Sequence, residues 1–577
     1  MLRETEVDGI RTVLAPIDGP LHAGLTFRVG QADETLARYG ITHLLEHLVL
    51  HRHGVSDYHY NGATGLVTTH FHMSGSPEEV VSFLTSVCAS LADPPFDRLE
   101  TEKSILRTEA AGRGTSPLTQ LSLWRYGARG YGLPSYDELG LPAITAQELT
   151  EWARAFFTRQ NAVLWIGAEE IPPGLTLTLP DGARRPVPPS TQVLPRTPAY
   201  FTGHGSMTGF DTVVKRRSAA MLYSAMLERD LYRALRQEGG YSYAANTSYD
   251  PRGDGFATIT AAADALPDKQ DAVLGGFIDV LAKFRLGRIA QADLDSVRGK
   301  GLEALRHSER DVGRLPNAAF NLLTGSPNRS TEEIRADIEA VTLDDVREVA
   351  AEAHANALLM APQGCVADWG GYVAAPLFSD HVVDGPRVPV LNEPDSSLIV
   401  GPAGVSAVSP HGSATVRYDA CVAMVTWPDG GRQLFGADGI NVRIEPTLVA
   451  LPPGTIERLD AAVPRAVQVP LPARHPDRIP SPSPAAAAPM PPLPPQHPAA
   501  PPTGRKASAG DIALMVLGGV LTAFFCCCSG IVGFGSMVAD PGEDMGDPWL
   551  VLGPGIVLTV VFTVFTYAVW NRRGRKG

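Results

Sequence analysis

The most informative stretch of this sequence reads Gly40-Ile41-Thr42-His43-Leu44-Leu45-Glu46-His47-Leu48-Val49-Leu50-His51. It contains the pattern His-x-x-Glu-His, formed by His43, Glu46 and His47. On a helix, residues four positions apart project from the same face, so the two imidazoles would converge. Two converging imidazole nitrogens suit one Zn²⁺ ion. The stretch therefore predicts a helix that carries part of a metal site.

Glu46 precedes the second histidine directly and follows the first by three positions. From there its carboxylate can reach a water on the metal without binding the metal itself, which is the placement of a general base. So short a pattern also arises by chance, and the alternative is a buried helix with ordinary surface histidines. The rest of the sequence has to decide between the two.

A catalytic zinc site needs a third protein ligand as well as an open fourth position. The downstream segment 99–109 has the character of a helix, and Glu102 and Glu109 lie two turns apart on one of its faces. Taken alone, this segment also fits a solvated, charged helix. Its value as a metal site depends on the pattern at residues 43–47.

At this point the sequence resembles the pitrilysin-type (M16, inverzincin) zinc metallopeptidases. In that family a later helix carries two glutamates at this spacing. The resemblance implies one Zn²⁺ per chain, with Glu109 as the third ligand beside His43 and His47. It implies that Glu102 supports the site from outside the ligand shell.

A turn and a long β-like run follow at residues 60–75. The resemblance implies that this region is a sheet edge beside the metal, to which an extended peptide substrate adds as a further strand. The residues expected to line that groove are Asn61, Ala63, Thr68 and Thr69.

Residues 200–362 repeat the order of strands and helices, but without a second His-x-x-Glu-His. The resemblance implies an inert half that closes over the zinc-bearing one. Arg236 and Tyr243 lie seven positions apart. The resemblance implies that Arg236 grips the substrate backbone and that Tyr243 is catalytic, because a tyrosine hydroxyl can stabilise the oxyanion. The alternative is a helix-capping arginine and a strand tyrosine.

The expected fold is α+β, with two homologous α/β halves of the pitrilysin-like type followed by a small β-rich module. Six strand candidates and a closing helix make that module similar to a pleckstrin-homology-like barrel, a likeness of fold that implies no ligand. The expected boundaries are 1–185 for the zinc-bearing half, 186–199 for a linker, 200–362 for the inert half, 363–394 for a connector, 395–465 for the β-rich module, 466–510 for a Pro/Ala-rich linker, and 511–577 for a transmembrane hairpin with a basic tail.

Two apolar runs, 512–538 and 549–570, each exceed the roughly 20 residues that cross a bilayer. Basic residues flank the pair on the outside, and acidic residues lie between the two runs. The positive-inside rule then predicts a multi-pass anchor in the cell membrane, with the peptidase part and both termini in the cytoplasm.

Composition argues against a nucleic-acid-binding protein and against a disulfide-stabilised protein. The formal net charge of the 577 residues is -13, so there is no basic footprint for a nucleic acid. Six cysteines are few, and three of them are consecutive in an apolar run, so no disulfide framework is visible.

The sequence thus predicts a membrane-anchored zinc endopeptidase that cleaves peptides or unfolded segments. The alternative from another class is a non-catalytic, membrane-tethered scaffold that retains the peptidase fold. A homodimer or a second subunit that completes the substrate chamber stays open.

Overall fold

The computed structural model describes residues 2–51, 59–113, 116–307, 313–391 and 393–482. The two apolar runs expected to span a membrane lie outside these residues. Within the described part of the chain, no helix has both the length and the apolar character needed to cross a membrane.

The first half is a mixed sheet with helices on one face. Its strands are β1 (Arg3–Val7), β2 (Ile10–Leu14), β3 (Leu21–Phe27), β4 (Tyr60–Thr64), β5 (Thr69–Gly75) and β6 (Ala162–Ile166). Its helices are α1 (Ile41–His51), α2 (Pro77–Ala92), α3 (Leu99–Arg113), α4 (Thr119–Tyr126) and α5 (Ala146–Phe156). The strand order is β1-β2-β6-β3-β5-β4. Strand β6 lies between β2 and β3, parallel to β2 and antiparallel to β3.

The second half repeats this plan. Its strands are β7 (Ala199–Thr202), β8 (Thr208–Lys215), β9 (Ala245–Pro251), β10 (Phe256–Ala263), β11 (Leu358–Ala361) and β12 (Val373–Ala374). Its helices are α6 (Ser218–Leu231), α7 (Gln270–Arg285), α8 (Gln291–His307), α9 (Arg314–Thr324), α10 (Thr331–Ala340) and α11 (Leu343–Ala355). The order β7-β11-β8-β10-β9 matches β2-β6-β3-β5-β4 of the first half strand for strand. The corresponding pairs β2/β6 and β7/β11 are parallel, and the pairs β6/β3 and β11/β8 are antiparallel.

The two halves exchange helices. Helix α9 of the second half packs its apolar face on the first sheet, where Leu315 and Leu322 meet Val13 and Trp165 in one buried cluster. Helix α4 of the first half covers the second sheet in return, and its Trp124 is part of that contact. Each half thereby covers part of the other half's sheet, and the two exchanged contacts form their own buried clusters beside the core of each half.

Residues 387–470, called here the third module, form two further sheets. The first contains β13 (Arg387–Val390), β14 (Glu393–Val400), β15 (Gly404–Ser409) and β16 (Gly412–Arg417). The second contains β17 (Cys421–Thr426), β18 (Arg432–Gly436), β19 (Asn441–Ile444) and β20 (Gln468–Pro470), and α12 (Thr455–Ala462) precedes β20. Strands β13 and β20 extend the module beyond the range 395–465, because short strands containing proline leave little pattern in a sequence.

The third module packs against the first half. Ala423, Val425 and Phe435 share a buried cluster with Leu36 and Leu133. The backbone N–H of Ala128 donates a hydrogen bond to the carbonyl oxygen of Ala437, at 3.1 Å.

The close approach of the two backbones requires a glycine. A Cβ atom on Gly127 would lie 2.2 Å from the carbonyl oxygen of Ala437. The contact therefore depends on close backbone packing as well as on apolar burial.

Candidate metal centre

Helix α1 brings the central motif to the edge of the first sheet. Leu44, Leu45 and Leu48 are fully buried beneath it, so the opposite face of the helix carries the histidines. The N-terminus of the helix is capped by Glu34. Its carboxylate accepts hydrogen bonds from the N–H groups of Gly40 and Thr42, at 2.7 and 3.0 Å. Burial raises the pKa of Glu34 to about 7.

His43, His47 and Glu109 form one cluster, in which the candidate ligand atoms lie within 4.8 Å of one another. The Nε2 atom of His47 is 3.6 Å from Oε1 of Glu109. Helix α3 therefore presents Glu109 to the two histidines of α1. The residues predicted from the motif and the resemblance meet at one point in space.

A carboxylate lies beside the Nδ1 atom of each histidine. Oε1 of Glu138 lies 2.7 Å from Nδ1 of His43, and Oε2 of Glu102 lies 3.4 Å from Nδ1 of His47. Glu102 also accepts a hydrogen bond from Nε of Arg98, at 3.1 Å. When Nδ1 carries the proton toward a carboxylate, Nε2 is the atom that presents a lone pair to a metal.

This donor set fits zinc. Two imidazole nitrogens and one carboxylate are the ligands of a catalytic site that keeps its fourth position for water or substrate. Ligand atoms of a tetrahedral zinc with bonds of roughly 2.1 Å lie roughly 3.4 Å apart. The spacing between His47 and Glu109 is close to that distance. The carboxylates on both Nδ1 atoms supply the outer support that zinc-binding histidines usually have.

Glu46 lies in a buried position next to this cluster. Oγ1 of Thr64 donates a hydrogen bond to its Oε2, at 2.8 Å. Burial raises the pKa of Glu46, while the charges of His43 and His47 and the hydrogen bond from Thr64 lower it in part. A carboxylate whose pKa is raised in this way can take up a proton during a reaction near neutral pH.

The metal cluster opens into a cavity of about 740 Å³. Strand β4 forms part of its wall, and this strand lies at one edge of the first sheet. Asn61 and Ala63 line the cavity. Thr68 and Thr69 do not. Thr68 lines a separate cavity, and Thr69 is buried in β5, where its hydroxyl donates to the carbonyl oxygen of Val29.

Arg236 and Tyr243 lie elsewhere on the chain. Tyr243 is 77% exposed, and the guanidinium of Arg236 stacks on its ring, with the Arg236 Cζ 5.0 Å from the ring centroid. Among the described residues, neither side chain lines the cavity that contains His43 and Glu46. The described structure therefore does not place this pair in the cavity of the metal cluster.

Comparison with known proteins adds the fold. No family model matches the sequence, and no curated protein matches it. Solved structures do match. A protease from Helicobacter pylori superposes with a TM-score of 0.54 at 14% identity, over 63% of this chain and 99% of that one. The first half of the periplasmic protease PqqL from Escherichia coli gives 0.51 at 13% identity, over 65% and 94%.

A peptidase M16 inactive domain from Pseudomonas fluorescens gives a TM-score of 0.52 at 16% identity, over 63% of this chain and 98% of that one. The fold is that of the M16-type peptidases. Identities this low establish a shared fold only, and the M16 fold includes an inactive domain as well as proteases. The chemistry of this chain has to be argued from its own residues.

Sequence reasoning missed several residues that surround the metal cluster. Glu138 and Thr64 hydrogen-bond to motif side chains, and Gly62 leaves no room for a Cβ atom beside Glu46. Glu34 caps the motif helix. No local pattern marks them, because each reaches α1 from another part of the chain. Gly62 and Thr64 had the strongest signal, since they alternate with Asn61 and Ala63 on the expected edge strand.

Proposed function

We propose that this protein is a zinc-dependent endopeptidase that cleaves extended peptides or unfolded segments. One observation carries the proposal. The His43, His47 and Glu109 cluster, the buried carboxylate of Glu46 and the open edge strand β4 all line one cavity. A metal site, a general base and a docking edge for a peptide backbone are the three components that this hydrolysis requires.

His43, His47 and Glu109 would hold the zinc ion. When bound there, zinc supplies a Lewis acid that polarises a peptide carbonyl and makes a water molecule more acidic. Glu46 takes the proton of the attacking water and passes it to the nitrogen of the leaving amine. The hydrogen bond from Thr64 keeps one carboxylate oxygen of Glu46 in place, so that the other can face the reacting groups.

The substrate would bind as an added strand on β4. An edge strand offers unpaired N–H and C=O groups that bind the backbone of any extended peptide, so the edge itself selects conformation rather than sequence. Folded proteins present few segments in that form. The proposed substrates are therefore peptides and unfolded segments.

Tyr243 and Arg236 belong to this proposal only through a second copy of the chain or another subunit. Their exposure in the single chain is compatible with such a partner facing the metal cavity. A complementation experiment tests the homodimer. Glu46→Gln and Tyr243→Phe variants, each inactive alone, regain partial activity when mixed if one copy supplies Tyr243 to the other. No recovery would remove Tyr243 from the proposed chemistry of a homodimer.

The central test compares the full-length protein with its Glu46→Gln variant. We expect both to contain about one zinc per chain. Only the wild type should cleave unstructured peptides, because the variant lacks the group that accepts the proton. Zinc content is measured by atomic emission, and cleavage by mass spectrometry of the products.

Two results would contradict the enzyme. The first is that the wild type binds no zinc. The second is that the zinc-loaded wild type cleaves no peptide at any protein concentration, alone or mixed with the variants. Either result would favour the second candidate, a non-catalytic scaffold. This candidate is supported by one observation: a domain described as inactive shares this fold.

The proposed location is the cell membrane, with the peptidase part in the cytoplasm. This follows from the apolar runs 512–538 and 549–570 and the basic residues that flank them. A reporter that functions only in the cytoplasm should be active when it is fused after Gly577. Activity of a reporter that functions outside the cytoplasm would contradict this orientation.

A further inference from the structure

The segment 135–139 connects the metal cluster to the third module. At one end Glu138 contacts His43, with 2.7 Å between Oε1 and Nδ1. Two residues earlier, the ring of Tyr136 meets the ring of Phe435 edge to face, with 5.9 Å between their centroids. Phe435 belongs to β18 of the third module, and it lines the same cavity as the metal cluster.

Glu138 packs closely against the start of helix α1. Gly40, at the start of α1, has a φ of +101°, and a Cβ atom there would lie 2.9 Å from Cβ of Glu138. The glycine therefore lets the segment approach the N-terminus of the motif helix. The side chain of Glu138 is 15% exposed and that of His43 is 16% exposed, so water screens their contact only in part.

Tyr136 provides the other fixed point. Its hydroxyl is buried without a hydrogen-bond partner among the described residues. The ring is thus held by packing against the third module and not by a polar contact of its hydroxyl. Leu133, just upstream, lies in the buried cluster that the first half shares with Phe435, Ala423 and Val425.

We propose that Glu138 is a positioning residue that fixes the imidazole of His43 for the metal, and that the third module keeps Glu138 in place through Phe435 and Tyr136. The inference rests on the metal site of the proposed function. Glu138 accepts the Nδ1 proton of His43, which turns Nε2 toward the metal and limits rotation of the ring. The third module thereby becomes part of the support of the metal site, although it contributes no ligand.

The first test measures zinc affinity of the full-length protein by competition with a chromophoric chelator, independently of any peptidase activity. Glu138→Ala should weaken zinc binding by about 10- to 100-fold, the usual effect of losing a carboxylate behind a histidine ligand. Glu138→Gln should lose less, because its amide oxygen can still accept the Nδ1 proton.

Asp137→Asn is the matched control. It removes the same charge one residue away, at a position that lines the same cavity. Its zinc affinity should stay within about twofold of wild type. An equal loss in Asp137→Asn and Glu138→Ala would mean that only the charge of the cavity matters, and would overturn the proposal. Unchanged affinity in Glu138→Ala would also overturn it.

The second test concerns the third module. Phe435→Ala should weaken zinc binding by at least about twofold, the smallest coupling typical of residues in contact. Val442→Ala is the control, because Val442 lies in the core of the module itself. It should lower the melting temperature without changing zinc affinity.

A double-mutant cycle decides whether Phe435 acts through Glu138. If it does, the variant carrying both Phe435→Ala and Glu138→Ala binds zinc as weakly as Glu138→Ala alone. Additive losses would mean that Phe435 affects zinc binding by a route other than Glu138, and would overturn this part of the proposal. An equal loss in Val442→Ala would also overturn it, because the effect would then come from the general stability of the third module. Wild type that binds zinc but cleaves no peptide would refute the proposed function and leave every comparison of this test valid.

Discussion

Gly62 of the edge strand lies directly against Glu46 of the motif helix: a Cβ atom on Gly62 would be 2.7 Å from Oε1 of the carboxylate. Thr64, two residues further along the same strand, donates its hydroxyl to the other oxygen, Oε2. The edge strand that is proposed to bind the peptide therefore also positions the proposed general base.

Gly62→Ala should lower kcat by about 100-fold, the lower end of what a positioned general base contributes. The added methyl group has no room unless the Glu46 carboxylate moves. Zinc content should not change, because the three atoms nearest to an added Cβ all belong to Glu46 and none belongs to a proposed zinc ligand. Gly112→Ala is the control, since a Cβ there meets nothing within 4 Å. Wild-type kcat in Gly62→Ala would show that the close contact has no catalytic consequence.

Thr64→Val should move the acidic limb of the pH profile of kcat/KM to higher pH. Burial raises the pKa of Glu46, and the hydrogen bond from Thr64 opposes that rise by stabilising the charged form. Without the hydroxyl, the pKa of Glu46 rises further, and the base is deprotonated only at higher pH. The measurement is kcat/KM against pH for both proteins. Thr64→Ser keeps the hydroxyl and should retain the wild-type limb.

Glu34→Gln should change how stability depends on pH. Burial raises the pKa of Glu34 from 4.5 to about 7, so the folded state holds a proton that the unfolded state has released. The stability that protonated Glu34 contributes to the folded state is fully present below pH 4.5 and is lost as the pH rises through 7. Relative to wild type, the glutamine variant should therefore gain on the order of 3 kcal/mol between pH 4 and 8.

Urea unfolding at several pH values measures that difference. Glu148→Gln is a control of opposite sign. Burial raises the pKa of Glu148, but hydrogen bonds from Arg38 and Thr145 outweigh it and bring the pKa below its ordinary value. The free energy of unfolding of the wild type should therefore rise, relative to that of Glu148→Gln, as the pH rises. The same pH trend in both variants would contradict the assignment for Glu34.

Arg125→Met should destabilise the protein by about 3–5 kcal/mol, because it leaves Asp211 buried without its partner. Arg125 of α4 and Asp211 of β8 are 2% and 3% exposed, and they form an ion pair between the two halves. Arg125 also donates to the carbonyl oxygen of Asn356, at 2.9 Å. The free energy of unfolding in urea checks this value.

The surface pair of Arg11 and Glu4 supplies the comparison. Its side chains are 45% and 42% exposed, so Arg11→Met should cost about 0–1 kcal/mol. Equal losses in the two arginine variants would mean that the buried pair does not stabilise the joint between the halves.

Local patterns in the sequence predicted much of the site. The spacing of His43, Glu46 and His47 depends only on the geometry of one helix, and α1 forms where the pattern indicated it. The role of Glu109 came from resemblance to a family, and the structure brings its carboxylate to the histidines. The strands of the third module were also visible, because they alternate apolar and polar residues and are separated by turn sequences.

Contacts between distant parts of the chain could not be predicted in this way. Glu138 is 95 positions from His43, and nothing in either segment indicates that they meet. Likewise, β6 lies between β2 and β3 although it follows them by more than a hundred residues. Thr68 and Thr69 lie outside the cavity that Asn61 and Ala63 line, because the chain turns after Thr64 and β5 returns into the sheet.

The sequence by itself determined which residues can form a metal site, because helical spacing alone directs two imidazoles to one face. The tertiary structure decided what surrounds them: Glu102 and Glu138 on the Nδ1 atoms, Gly62 and Thr64 on the base, and a third module against the cavity. The physical reason is that spacing along a helix is fixed by backbone hydrogen bonds between near neighbours. Contacts across the fold depend instead on how whole sheets and helices pack.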